Sequence, residues 1–207
     1  MKEIRRQEQR FAAQLGQYGI QIQLDYSSAY IKQCVNSDVT KDLLTIFSNR
    51  TPEIIYLHQP TDKHSIHVAV FVHCILALRQ LPINKRPNKV IGCEVWTNVS
   101  RDLDWLDDND KIILDVGQHS DLSKNLLCVF DSQINGGKRY DLATLGRRTA
   151  HATFNASHAT DKYQAVTLAM DLTPLITDTS LSIVDYTMNL IDNFKNDVKT
   201  CLNKLIV

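Results

Sequence analysis

The chain has no net charge, no C-x-x-C pair, no long apolar run and no internal repeat, and each absence removes a class of protein. Its 207 residues carry 23 lysines plus arginines against 23 aspartates plus glutamates. No global basic field therefore points to nucleic acid, and no acidic excess marks a disordered solubilising chain. The five cysteines, Cys34, Cys74, Cys93, Cys128 and Cys201, are scattered without redox or metal-ligand spacing. Because Cys74, Cys93 and Cys128 lie in apolar runs, they are expected to be buried, reduced thiols of a cytoplasmic protein. The opening "MKEIRRQEQR" is charged, and no run approaches the ~20 apolar residues that a membrane span requires. The expected partners thus exclude nucleic acid and membrane, and the length suits one α/β domain with a sizeable core, residues 1–207.

What remains is an alternation of two periods. Ile4, Phe11, Ala12 and Leu15 share one helical face and Gly16 supplies a stop, after which "GIQIQLDY" alternates as a strand does. "DVTKDLLTIFSNR" predicts a helix, and "PEIIYLHQP", a short apolar run between prolines, predicts a buried strand. "HSIHVAVFVHCILALRQL" is apolar almost all round and ends at Pro82, the pattern of a buried helix. "KVIGCEVW" and "KIILDVG" predict two further strands on either side of the acidic turn "SRDLDWLDDND", with Trp96 and Trp105 in the core. "SDLSKNLLCVFDSQI" and "DLATLGRRTAHATF" predict helices joined by "NGGKRY". From Ser180 to Val207, Val184, Met188, Ile191, Val198, Leu202 and Leu205 recur at helical spacing. This closing helix is expected to pack on its own domain, an oligomer seam being the other reading. The order of elements predicts an open α/β sheet with parallel core strands, layered between helices in a three-layer, Rossmann-like arrangement.

Within that frame "LHQPTDKHSIHVAV" stands out. In an open α/β sheet ligands collect at the carboxyl ends of the strands, and His58, Gln59, Thr61 and Asp62 fall where "EIIYL" ends. If Asp62 caps the next helix, His64 and His67 share one face of its first two turns, where the positive end of the helix dipole keeps imidazoles neutral for ligation. Spacing alone leaves two readings open. An H-x-x-H pair is short of the three protein ligands usual for catalytic zinc, and two histidines at a helix start also serve as ordinary polar residues. "NGGKRY" beside Arg147 and Arg148 is either a basic loop that contacts anions or a solvated turn. His119, His151 and His158 lack metal-ligand spacing and are expected at surface or capping positions.

Longer strings carry a resemblance. "RRQEQRFAAQLGQYGIQIQLDY" resembles the arginine-and-glutamate helix, "LG" turn and "LDY" strand of the PIG-L/LmbE-like de-N-acetylases, and "HQPTDKHSIHVAV" resembles their third block. "GCEVW", "DLDWL", "FDSQINGGKRYDLATLGRR", "ATFNASHATD" and "AMDLTPL" resemble a subgroup of that family, so the likeness runs along nearly the whole chain. It implies an LmbE-like sheet, zinc as cofactor, and hydrolysis of an N-acyl amide on an amine or amino sugar of the N-acetylglucosamine type. It also implies that His67 is the metal ligand, that His64 stabilises the oxyanion or protonates the leaving amine, and that Arg5 turns toward substrate. Read from the residues alone, Arg5 is equally an exposed helix residue paired with Glu8.

Members of that family open with a strand and an H-P-D-D block that supplies further zinc ligands and the general base. The 207 residues contain no such block, and Asp25, Asp62 and Glu94 stand in segments that do not match it. The resemblance therefore implies a domain lacking the family's opening strand or strands, with zinc held weakly or not at all and hydrolysis impaired in this chain alone. Three readings follow. The block resides on a complementary N-terminal segment, the chain is a non-catalytic binding protein that keeps the fold as a monomer or homo-oligomer, or the histidines serve an unrelated role.

Overall fold

The computed structural model of the chain describes residues 1–33, 38–95, 102–153 and 158–206. Cys34 and Trp96 lie outside the described residues. The chain forms two compact units: residues 1–25 with 113–167, and residues 26–95 with 102–112 and 168–206. A four-stranded open, mixed sheet runs in the order β1-β2-β4-β3, where β1 is Ile54–His58, β2 Lys89–Cys93, β3 Lys111–Asp115 and β4 Val166–Asp171. No helix among the described residues is long and apolar enough to cross a membrane.

The second unit holds the larger core. Helix α4, Ser65–Arg79, buries Ala69, Phe71, His73, Cys74, Ile75, Ala77 and Leu78, as a helix apolar on all sides must. Val90, Ile91, Met170, Leu172, Leu175 and Ile176 complete the apolar interior. Polar residues are threaded through it, His73 among them. His73 is fully buried; its Nε2–H donates to the Ile31 carbonyl at 2.7 Å, so Nδ1 is left to accept from the Thr40 hydroxyl at 2.8 Å. That ring ties α4 to α2, Ser28–Ile31, and to α3, Asp38–Arg50. At the other end of α4, Arg79 donates to the carbonyls of Leu175 and Leu181. Arg86 donates to those of Leu81, Ile176 and Arg79. The two guanidiniums satisfy carbonyl oxygens that the turn after α4 and the short helix α8, Pro174–Thr177, leave unpaired.

The first unit contains α1, Lys2–Leu15, α5, Ser120–Cys128, α6, Asp131–Ile134, and α7, Tyr140–Ala152. Glu8 of α1 turns inward, where its carboxylate accepts from the backbone N–H of Ser132 at 2.6 Å and from its hydroxyl at 2.7 Å. The carboxylate expected to pair with Arg5 on the helix surface thus caps the start of α6 instead.

Several expectations need correction. "GIQIQLDY" does not form a strand; Ile20, Ile22 and Leu24 are exposed. Gln17 and Asp25, at its two ends, have positive φ of 53° and 59°. Period-2 alternation marks an extended chain, but a strand also needs a ladder partner. Here the segment is held by side chains, with Gln23 donating to the Arg6 carbonyl and Asp25 paired with Lys2 and Arg6. Conversely "VTLAMD" forms β4, which pairs antiparallel with β2 between Ile91–Cys93 and Ala169–Asp171. β1 and β2 pair in parallel, in register from Ile54 with Lys89 to His58 with Cys93. The sheet is therefore mixed, and β1 lies at its edge. The helix expected over "SDLSKNLLCVFDSQI" breaks at Phe130 into α5 and α6, and Cys128 is exposed rather than buried. Trp105 is half-buried, its ring edge-on to Phe194 at 6.3 Å. The closing helix α9, Ile183–Leu205, fully buries none of its residues; it meets its own unit in its first half, through Tyr186 and Phe194, so its expected packing on its own domain is found in part.

Two outcomes check this core. His73→Phe leaves the Ile31 carbonyl and the Thr40 hydroxyl without their imidazole partner and is expected to cost about 2–4 kcal/mol in urea unfolding. Burial pushes the Cys74 thiol up to about 12. In native protein at neutral pH it is therefore expected to resist alkylation while the exposed Cys128 and Cys201 react, as read by peptide mass spectrometry.

Candidate metal centre

The last residue of β1 is His58, which places its ring at the carboxyl end of the β1–β2 parallel pair. The chain then turns sharply. The side-chain oxygen of the fully buried Gln59 accepts from the backbone N–H of Thr61 at 2.7 Å and also from its hydroxyl. This clamp delivers Asp62 to the interior at 6% exposure. Asp62 Oδ1 accepts from the His64 N–H at 2.7 Å, and Oδ2 bonds His67 Nδ1 at 2.8 Å. The residue in N-cap backbone conformation is His64, with φ −85° and ψ 107°. Asp62 therefore does not cap α4 as expected; it joins the N-cap residue His64 to His67 in the first turn of the helix.

The result is a stack of three imidazoles beside one carboxylate. The His67 ring lies 4.2 Å from that of His58, nearly parallel at 7°, and 4.4 Å from that of His64 at 26°. His58, Asp62 and His67 each offer a ligand atom, all within 4.8 Å of one another. Tetrahedral zinc with bonds of ~2.0–2.1 Å needs such atoms a little over ~3 Å apart, so a bound ion would draw the three closer together. Burial pushes His58 down to about 4; the His67 and His64 rings add to the effect and Asp62 opposes it. His58 is therefore neutral at pH 7, the state that ligates metal. Its Nδ1 is buried with no hydrogen-bond partner, and so is that of His64. A buried nitrogen left unpaired costs about 1–3 kcal/mol, a debt that a bound cation removes. Two imidazoles and a carboxylate suit zinc and similar transition ions, and the Asp62 bond to His67 Nδ1 leaves Nε2 as the second donor position of that ring.

Of the residues expected at the site, His67 belongs to the three-donor group, and His64 lies against it without contributing a ligand atom. Arg5 is an exposed residue of α1 and belongs to the other unit. His58 and Asp62 were not recognised as ligands, because the spacings 58, 62 and 67 follow no single period: the chain changes from strand to loop to helix between them. In "NGGKRY" the Arg139 guanidinium is gripped by Asp141 through bonds of 3.0 and 2.7 Å, which favours the turn reading over an anion-binding loop. Among the described residues, His119, His151 and His158 join no metal-type group.

Fold and site together describe an α/β protein with a candidate His-Asp-His centre at a strand's carboxyl end. No protein-family profile matches the chain, and no curated protein sequence matches it. Two solved structures share its fold. One is the conserved protein TT1542 from Thermus thermophilus, at 14% identity and a TM-score of 0.60 over 83% of this chain and 74% of that one. The other is GalB, the 4-carboxy-2-hydroxymuconate hydratase from Pseudomonas putida KT2440, at 15% identity and a TM-score of 0.53 over 83% of this chain and 72% of that one.

Two measurements test the centre. In zinc titrations followed by calorimetry, His58→Ala, Asp62→Ala and His67→Ala are each expected to weaken binding beyond the ~10–100-fold that loss of an outer-shell partner costs, while His64→Ala retains most of it. The pH dependence of the metal-free protein follows from His58. Its folded value lies below the ordinary 6.5, so the unfolded chain binds more protons between about 4 and 6.5. The contribution of neutral His58 is complete above that window and is lost as pH falls through it. Unfolding midpoints in urea are thus expected to drop from pH 7 to pH 4.5, and to drop less in His58→Phe.

Proposed function

We propose that the chain is a metal-binding protein of the PIG-L/LmbE-like de-N-acetylase type, with His58, Asp62 and His67 as the zinc ligands. Its ligand class is an N-acylated amine or amino sugar of the N-acetylglucosamine type, and hydrolysis is impaired in this chain alone. One observation carries the proposal: the three-donor group lies inside "HQPTDKHSIHVAV", the segment that resembles the family's third block. Three protein ligands with an open fourth position is the pattern of catalytic rather than structural zinc.

Zinc bound there supplies a water of lowered pKa and a positive charge for an amide oxyanion. The chain's own residues do the rest. His64 is the residue that would bond the oxyanion or hand a proton to the leaving amine, a role supported by its stacking on His67 and its buried unpaired Nδ1. Asp62 keeps His67 in the tautomer that exposes Nε2. The group holds a single carboxylate, and Asp62 is already engaged with the His64 N–H and His67. No second carboxylate joins it among the described residues to serve as general base, which supports binding over turnover. GalB is named as a hydratase; water addition and amide hydrolysis both start from an activated water, so that likeness is compatible with the proposal without choosing the substrate. The second reading is a non-catalytic binding protein that retains the fold.

The test uses the zinc-loaded chain with an N-acetylglucosamine-type amide. The expected outcome is calorimetric binding that weakens in His64→Ala, with no release of acetate above the blank. Zinc-dependent acetate release that disappears in both His64→Ala and His67→Ala would mean that a base exists which the cluster does not reveal. Absence of both binding and release would remove the de-N-acetylase assignment.

A further inference from the structure

The 23-residue helix α9 buries none of its residues, and every described residue from 193 to 206 is exposed. Its anchor to the second unit is confined to its first half, where Tyr186 donates to the Asp171 carbonyl and Phe194 meets Trp105. Polar helices project this way without consequence, but α9 carries an apolar stripe. Val184, Met188, Ile191, Val198, Leu202 and Leu205 recur at steps of four and three with Lys195 between, a 3.5-residue repeat rather than 3.6. Val184 is 66% exposed, Leu202 51% and Leu205 76%. A repeat of 3.5 sustained over about three heptads is the pattern of a supercoiled seam, and among the described residues no element buries it, Ile191 alone of the stripe being half-buried.

We propose that α9 is a dimerisation helix that pairs antiparallel with α9 of a second copy of this chain. The stripe is complementary to itself. Met188, Lys195 and Leu202 occupy heptad position a, and Val184, Ile191, Val198 and Leu205 position d. Antiparallel pairing sets a against d, which joins Met188 to Leu205, Ile191 to Leu202 and Lys195 to Val198 of the second copy, each pair made twice by the two-fold axis. Charge selects this register. It brings Asp192, at position e, beside Lys199, the next e residue, of the second copy. A shift by one heptad would instead oppose the two copies of Asp192. A parallel pair would set Asp192 against Thr187 and leave the charges unmatched. Lys195, the one polar residue of the seam, is already paired with Asp192 of its own helix at 3.1 Å, and a single polar a position is a device that fixes register.

The experiment is sedimentation of the full chain across micromolar concentrations. A dimer is expected, and Val198→Glu with Leu202→Glu should yield a monomer that keeps the far-ultraviolet circular dichroism of the fold, because both positions are exposed within one chain. Asp192→Lys alone and Lys199→Asp alone should each weaken association by about fivefold, two ion pairs at roughly 0.5 kcal/mol apiece, and the double reversal should restore it. A chain that stays monomeric, a dimer that survives the paired glutamates, or reversals that fail to compensate would each overturn the proposal. So would rapid disulfide formation by Leu205→Cys, since antiparallel pairing holds the two residues ~25 Å apart.

Discussion

Everything at the candidate centre depends on one buried carboxylate. A carboxylate removed from water must be paired on both oxygens or its burial becomes prohibitive, and Asp62 meets the requirement with two partners of different kinds. One oxygen holds the backbone N–H of His64, which sets where α4 begins. The other holds the imidazole of His67, which sets the orientation of the ring one turn into the helix. The entry of the helix and the aim of its histidine are consequently one constraint. The Gln59 clamp behind Asp62 adds a second layer, since it fixes the loop that places the carboxylate between strand and helix.

The scaffold explains why this spot is available. Parallel strands leave their carboxyl ends where following loops and helix starts converge, and β1 and β2 pair in parallel. His58 terminates β1, so its side chain arrives at the junction from the strand, whereas His64 and His67 arrive from the helix. α4 can carry the second half of the site because its own body is locked in place: apolar contacts on all sides, His73 bridging to Thr40 and Ile31, and arginine contacts at its far end. Rigidity of the helix is what makes a stack of three imidazoles at ~4 Å spacing a defined arrangement rather than an average over rotamers.

Much of this was legible in the sequence, and the failures have physical causes. α3 occupies the segment read as a helix, and β1, β2 and β3 fall within the apolar runs read as strands, because those segments carry their period or their proline bounds with them. β4 escaped because "VTLAMD" is apolar without alternation, and a short run of that kind is indistinguishable from helix by period. "GIQIQLDY" erred in the opposite direction, since alternation reports two faces but not whether a neighbouring strand exists to pair with. At the site, His67 was legible through the H-x-x-H motif and its resemblance. His58 and Asp62 were visible as residues at a strand end, yet their convergence depends on a turn held by Gln59, a three-dimensional fact with no repeat in the sequence. α9 was recognised as amphipathic, but periodicity cannot say which body an apolar stripe faces.

The arginine latch at the end of α4 has a consequence of another sort. Arg79 and Arg86 grip carbonyl oxygens, and a carbonyl has no proton to gain or lose, while guanidinium stays charged throughout the range in which proteins fold. The joint between α4 and the α8 turn is thus blind to acidity. His58, whose ring stacks on His67 at the opposite end of the same helix, is not, because burial opposes charging it. At the two ends of a single helix the fold thus sets a proton-sensitive neighbour, His58, and a proton-insensitive joint.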